Sequence, residues 1–205
     1  MLMVVLGWLL GILGGPIAER IRRGHRRREL EEALRAELRE CRHLLGSVAY
    51  RLKSQLGEVD RELLDWVRVI DADEFDLTGD ATTLEHLDRL RAHPDAAIAA
   101  LQTNRVSQGM SLTLRTYELP LLDVSKGELI LLPITFRREI LSVWRQLDFM
   151  NQEVPRLARL HELTFDSSLA PVNRQVITQE LTDGYRTLAR RARQTADQIS
   201  RLLGA

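Results

Sequence analysis

The most apolar part of the chain is its first 18 residues. Residues 1–18 contain no charged side chain, and the first charge is Glu19. A helix rises 1.5 Å per residue, so this stretch spans about 27 Å, close to the ~30 Å hydrocarbon core of a bilayer. The pattern therefore predicts a single transmembrane helix over residues 1–18.

A second pattern begins at Leu30 and continues to Ile70. Apolar residues recur there every three or four positions, which is typical of one face of a helix. No proline occurs between Ile17 and His93, so we expect the membrane helix to continue into this stripe as one rod, with Gly24 and Gly57 as weak points. The acidic run at 71–80 predicts a connection after it. The stripe consists of Leu30, Leu34, Leu38, Cys41, Leu45, Val48, Leu52, Leu56, Val59, Leu63, Val67 and Ile70.

The middle of the chain predicts shorter elements. Thr82 and Glu85 have the spacing of a capping box, which predicts a short helix to about Ala92. A second short helix is expected from Pro94 to about Asn104. Apolar and polar residues alternate from Met110 onwards, which predicts one short extended segment near 110–132, either alone or as a hairpin.

Two further long helices follow. Pro133 can occupy the first turn of one of them, and Pro155 should kink or divide it. The last begins at Pro171 and is closed by Gly204. The sequence thus predicts an all-α fold: a membrane helix, then an antiparallel bundle of three long and two short helices. Its predicted divisions are a transmembrane anchor (1–18), a basic juxtamembrane segment (19–28) and a cytosolic helical domain (29–205).

Composition agrees with a helical class, because aromatic residues make up 5% of the chain and charged residues 28%. Only Lys53 and Lys126 are lysines, an arginine bias that we interpret as the codon usage of a GC-rich bacterium. Positive residues cluster directly after the apolar stretch, and the positive-inside rule then places the anchor in a bacterial inner membrane with its N-terminus outside. The cluster consists of Arg20, Arg22, Arg23, Arg26, Arg27 and Arg28.

Two alternatives to an anchor stay open: a cleavable signal peptide and a helix lying in the membrane interface. A signal peptide normally has a positive charge before its apolar part and a small-x-small cleavage site after it; neither is found here. The arginines can set topology and also bind anionic lipid headgroups. Nucleic acid is disfavoured as a partner, because the net charge is zero and no aromatic residue lies among these arginines to stack on bases.

Within the apolar stretch, Gly7, Gly11 and Gly15 recur every four residues. Small residues at this spacing let two membrane helices approach closely, which predicts a homo-oligomer through this face. The alternative is that the glycines reflect the ordinary composition of membrane helices, with Gly14-Gly15-Pro16 marking a flexible exit.

The sequence contains none of the familiar nucleotide-binding, metal-binding or nucleophile motifs. Its acidic run lacks the glycine and glutamate positions of a calcium loop, and the lone Cys41 fits a buried apolar position. We therefore predict no catalytic, metal or cofactor site. Trp66, Trp144 and Tyr117 could contribute to an interface, although each also fits a core position.

The predicted function is a non-enzymatic, membrane-anchored helical scaffold. Its expected partners are anionic lipid, a second copy of the chain and an unidentified cytosolic protein. The alternative is a membrane-associated effector or signalling protein that oligomerises through Gly7, Gly11 and Gly15.

Overall fold

The computed structural model describes the backbone of residues 2–78, 82–95, 97–98 and 114–204, and the side chains among them from residue 18 onwards, except 71–78 and 82–86. Within these ranges the structure is helical and contains no strand. Its elements are α1 (Leu2–Gln55), α2 (Arg61–Thr78), α3 (Thr82–Arg91), α4 (Pro120–Ser125), a 3₁₀ helix (Lys126–Leu131), α5 (Ile134–Thr164) and α6 (Pro171–Leu203).

Helices α1, α5 and α6 form a three-helix bundle. Helix α6 runs antiparallel to α5, since Gln198 near its end donates to Glu139 near the start of α5 at 3.1 Å. It is also antiparallel to α1, because Arg186 bonds Glu58 just beyond the end of α1 at 2.7 Å, whereas Leu202 lies against Arg35. The side chains between these contacts form one core, which includes the fully buried Leu34, Leu38, Leu45, Leu52, Ile140, Ala192, Ala196 and Ile199.

Helix α6 approaches its neighbours closely because small residues face the core. Ala189, Ala192 and Ala196 are buried there. At Gly184, a Cβ atom would lie only 2.2 Å from Cδ2 of Leu157, a fully buried residue of α5. Glycine is therefore favoured at this position by the close contact with Leu157 and not by backbone conformation.

Helices α2 and α3 add a smaller layer beside α1 and α6. Gly57 has φ of 68° and reverses the chain after α1, and the Asp60 carboxylate accepts a bond from the Leu63 amide at 2.8 Å at the start of α2. Helix α2 then returns along α1 and brings Ile70 against Gly46. The layer has its own apolar cluster, formed by Val59, Leu63, Leu64, Val67, Leu87, Leu90 and Ile98.

The all-α prediction and the antiparallel bundle are confirmed, but the stripe from Leu30 to Ile70 is not one helix. It is divided between α1 and α2, because Gly57 turns the chain and lets the second half of the stripe fold back on the first. The connection predicted at 71–80 is also wrong for residues 71–78, because α2 continues through these acidic residues to Thr78.

Pro155 does not divide the helix it occupies, because α5 is continuous from Ile134 to Thr164. Its flanking residues Val154 and Leu157 are buried, and this packing offsets the backbone hydrogen bond that proline cannot make. A hairpin with 128–132 is likewise wrong, since Lys126–Leu131 is a 3₁₀ helix. Residues 114–119 have no regular structure, and 110–113 lie outside the described residues.

The short helix predicted at Thr82 is confirmed as α3. Pro94 begins a further helical turn, with the amides of Ala97 and Ile98 bonding its carbonyl; the predicted end near Asn104 lies outside the described residues. Gly204 closes α6 with φ of 79°, as expected for a left-handed helix end.

Within the described residues, none of the helices has the length and apolar character needed to span a bilayer. The anchor predicted at 1–18 thus has no support from the structure. Helix α1 does begin at Leu2, but the side chains up to Ile17 lie outside the described part.

We predict that Gly184→Ala lowers the free energy of unfolding by about 1 kcal/mol. Overpacking against the buried Leu157 costs about 1–3 kcal/mol, and the higher helix propensity of alanine recovers up to about 1. Urea denaturation of the detergent-solubilised chain measures the change. Gly24→Ala is the matched control, because nothing lies within 4 Å of a Cβ atom there, and it should cause no loss. Stabilisation by Gly184→Ala would contradict the close contact.

Candidate functional site

Residues 18–29 of α1 form a stalk that projects from the bundle. Every side chain in this segment is exposed, and Leu30 is the first residue buried in the core along the part of α1 whose side chains the structure describes. At 1.5 Å per residue the stalk is about 18 Å long. The backbone of α1 continues without a break on both sides of it.

The stalk carries the arginine cluster. Arg23 donates a hydrogen bond to Glu19 within the stalk at 3.0 Å. Arg26 forms a bidentate ion pair with Glu128 of the 3₁₀ helix. The hydrogen bond from Arg26 lowers the pKa of Glu128, and the same contact raises the pKa of Arg26. Among the described residues, the structure shows no ion pair for Arg20, Arg27 or Arg28, which leaves their guanidinium groups facing solvent.

The stalk emerges from one end of the bundle, the basal end. This end consists of the 3₁₀ helix, the first turn of α5 and the last turn of α6. Ile130 and Ile134 lie there with 75% and 64% of their surface exposed. Arg138, one helical turn after Ile134, and Arg201 are also exposed. Apolar and cationic side chains thus share the end from which the stalk emerges.

A groove of about 550 Å³ opens at the basal end between α1, α5 and α6. Its polar groups largely bond one another: Arg35 bonds Glu31 at 3.0 Å and lies over the Phe136 ring, 5.0 Å from its centroid. Gln198 is likewise bonded to Glu139. These contacts join neighbouring helices. They do not make the polar side chains converge on the empty volume of the groove, as a binding site would require.

The segment that crosses from residue 114 to α4 is fixed by two side chains. Asn151 holds both backbone polar groups of Tyr117, accepting from its amide at 2.7 Å and donating to its carbonyl at 2.8 Å. Glu37 accepts from the amides of Leu121 and Leu122 at 2.7 and 3.2 Å. Burial raises the pKa of Glu37, an effect that these two bonds oppose.

Sequence reasoning missed the roles of Asn151 and Glu37. Glu37 lies among many glutamates that look like surface residues, and nothing local distinguishes it. The only available signal is that Glu37 lies three residues after Leu34 and four before Cys41, both of which are buried.

A second cavity, of about 350 Å³, lies where α1 ends beside α6. Glu58 accepts bonds there from Lys53 at 2.6 Å and from Arg186 at 2.7 Å. Burial raises the pKa of Glu58, but the hydrogen bonds and the positive charges of Lys53 and Arg186 together lower it by more, so the pKa lies below its ordinary value. This arrangement closes the end of α1 against α6.

The described residues offer little chemistry. No group of three or more metal-ligating side chains occurs among them. Burial raises the pKa of the Cys41 thiol to about 12, so it is protonated at neutral pH. The Tyr117 hydroxyl is also buried, and burial raises its pKa to about 12.

The predicted site residues fall into two groups. The six arginines lie together on the exposed stalk, as the sequence suggested. Gly7, Gly11 and Gly15 share one stripe of α1, but their surroundings are outside the described residues. Among the large side chains, Tyr117 is buried and Trp66 and Trp144 are half-buried against the core. The Trp66 indole donates to Asp197 at 2.7 Å.

Comparison with known proteins gives no relative: no protein-family model, no curated protein and no solved structure matches the chain.

We predict that Glu58 contributes stability that acid removes. Its folded-state pKa is lowered, so the contribution is present above the unfolded value of about 4.5 and is lost as pH falls through the folded value. Glu58→Gln should cost about 1 kcal/mol at pH 7, less than a fully buried charged hydrogen bond because the pair is partly exposed.

Urea denaturation at pH 7 and at pH 3 measures this contribution. The difference between wild type and Glu58→Gln should shrink at pH 3. Glu153→Gln is the control. The ion pair of Glu153 with Arg156 is exposed and should contribute about 0.5 kcal/mol or less to stability. An equal difference at both pH values would contradict the role of the charge.

Proposed function

We propose that this protein is a single-pass membrane-anchored scaffold that holds a helical bundle at the cytosolic face of a bacterial inner membrane. The observation that carries the proposal is the course of α1. One helix runs from Leu2 through the exposed stalk and into the bundle core. A bundle attached in this way is held at a fixed distance from whatever binds the apolar residues 1–18.

The charge distribution supports the orientation. An uncharged stretch is followed at once by exposed arginines, and positive residues flanking a membrane helix remain in the cytosol. Exposed arginine side chains can also reach anionic headgroups, at about 1 kcal/mol for each residue near the surface. In this proposal the stalk serves as topology signal and as spacer.

A scaffold role, as opposed to an enzymatic one, is favoured by the kind of polar contact that the described residues make. Lys53, Glu58 and Arg186 are bonded to one another, and Glu37 and Asn151 are bonded to backbone groups. Such side chains join helices together. A scaffold needs this rigidity in order to present one surface to a cytosolic partner.

The proposal predicts that the chain stays in the membrane pellet after extraction at alkaline pH. Apolar burial over residues 1–18 is much larger than any electrostatic attachment, so high salt should not release the protein. A cysteine introduced near Met1 should react with an impermeant maleimide added outside the cell, whereas one introduced at Val172 should not. Release by alkaline extraction would contradict an anchor.

Replacing Gly7, Gly11 and Gly15 together with leucine separates the scaffold from an oligomerising effector. A tether needs only apolar length, so membrane retention should be unchanged or stronger in the variant. If the triple variant loses both its self-association, measured by cross-linking in the membrane, and a growth effect of overexpression, the effector is favoured instead.

A further inference from the structure

We propose that the basal end of the bundle docks onto the surface of an anionic bilayer, with Ile130 and Ile134 in contact with the headgroup layer. This inference rests on the proposed anchoring of residues 1–18. It adds that the bundle has one fixed orientation and does not move freely at the end of its stalk.

The two isoleucines are the first argument. They lie four residues apart, on either side of the buried Leu132, at the turn that joins the 3₁₀ helix to α5. With 75% and 64% of their surfaces exposed, they are unusual beside Leu129, Leu132 and Phe136, which are at most 5% exposed. The turn therefore divides its apolar residues between the core and the outside.

Charge is the second argument. Exposed Arg138 and Arg201 lie on the bundle side of this surface, and the stalk arginines on the other. Glu128 is neutralised by Arg26, and Glu139 is bonded by Gln198. Exposed isoleucines beside these exposed arginines therefore match the interface of a bilayer rich in anionic lipid.

Distance is the third argument. The Arg26–Glu128 ion pair sets the 3₁₀ helix at the level of Arg26, eight residues or about 12 Å along α1 from Ala18. The headgroup layer is about 5–7 Å thick on each side. We take the 3₁₀ helix to lie about 10 Å from the axis of α1, as packed helices do. A tilt of α1 by about 20° from the bilayer normal then brings the 3₁₀ helix about 3 Å closer to the membrane. The side chain of Ile130 then spans the remaining distance between the 3₁₀ helix and the headgroup layer.

The other end of the bundle supplies a matched control. Phe165 and Val172 are 75% and 72% exposed at the turn between α5 and α6, the length of the bundle away from the stalk. They are as apolar and as exposed as Ile130, and the proposal places them in water. The buried Cys41 should not react with a probe, so single cysteines can be introduced into the native chain.

The experiment uses the full chain with Ile130→Cys or Val172→Cys labelled with an environment-sensitive fluorophore (NBD). Each is reconstituted into phosphatidylcholine vesicles that contain one third phosphatidylglycerol. We expect a blue-shifted emission at position 130 and quenching by nitroxide-labelled lipid several-fold stronger than at position 172. Arg138→Glu with Arg201→Glu, or vesicles of phosphatidylcholine alone, should reduce that difference.

Three results would overturn the proposal. Solvent-like emission at both positions, in protein that still floats with the vesicles, would refute docking and leave the anchor intact. Protein that does not float with the vesicles would refute the anchor itself. A blue shift at position 130 that grows with protein concentration in detergent without lipid would assign this surface to a second copy of the chain.

Discussion

Packing of the α1 stripe against α6 is the interaction on which the rest of the structure depends. Leu34, Leu38, Leu45 and Leu52 are fully buried there, and each buried leucine is worth about 1.5–3 kcal/mol. Ala192 and Ala196 of α6 let the two helices approach closely enough for this burial. Helix α5 completes the core from the opposite side, and the segment from 114 to 131 is fixed across it by Glu37 and Asn151.

The stalk depends on the same interaction. A short, highly charged helix in water is marginal by itself, because nucleation is costly and little is gained from burial. Here the bundle has already formed the helix at Leu30, so residues 18–29 only extend it. A stiff connection between an apolar N-terminus and a rigid core follows, and both proposals depend on that stiffness.

Local patterns predicted much of this architecture. The helix starts near Pro133 and at Pro171, the start at Thr82 and the end at Gly204 could be read from the sequence because each is marked by a local signal. The division of the first stripe could not, since a step of three or four residues continues through Gly57 whether the chain turns or not. Contacts between distant parts of the chain show that it turns, such as Ile70 against Gly46 and the burial of Leu63, Leu64 and Val67 against α3.

The candidate site was predictable in its charge but not in its shape. The arginine cluster is visible as a run in the sequence, whereas Ile130 and Ile134 look like ordinary core residues of a strand or helix. Their exposure follows from the turn that joins the 3₁₀ helix to α5, which buries Leu129 and Leu132 and leaves the isoleucines outside. Contacts between distant residues, such as Arg26 with Glu128, leave no local signal.

The continuity of α1 through the stalk is the central claim, and a distance measurement in reconstituted vesicles tests it most directly. Spin labels at Arg22→Cys and Leu44→Cys, both exposed positions, should give one narrow distance distribution in pulsed electron paramagnetic resonance. Its centre should lie near 33 Å, or about 1.5 Å for each residue between them. A broad distribution, or one centred well below that distance, would show that the stalk bends and would contradict a rigid connection.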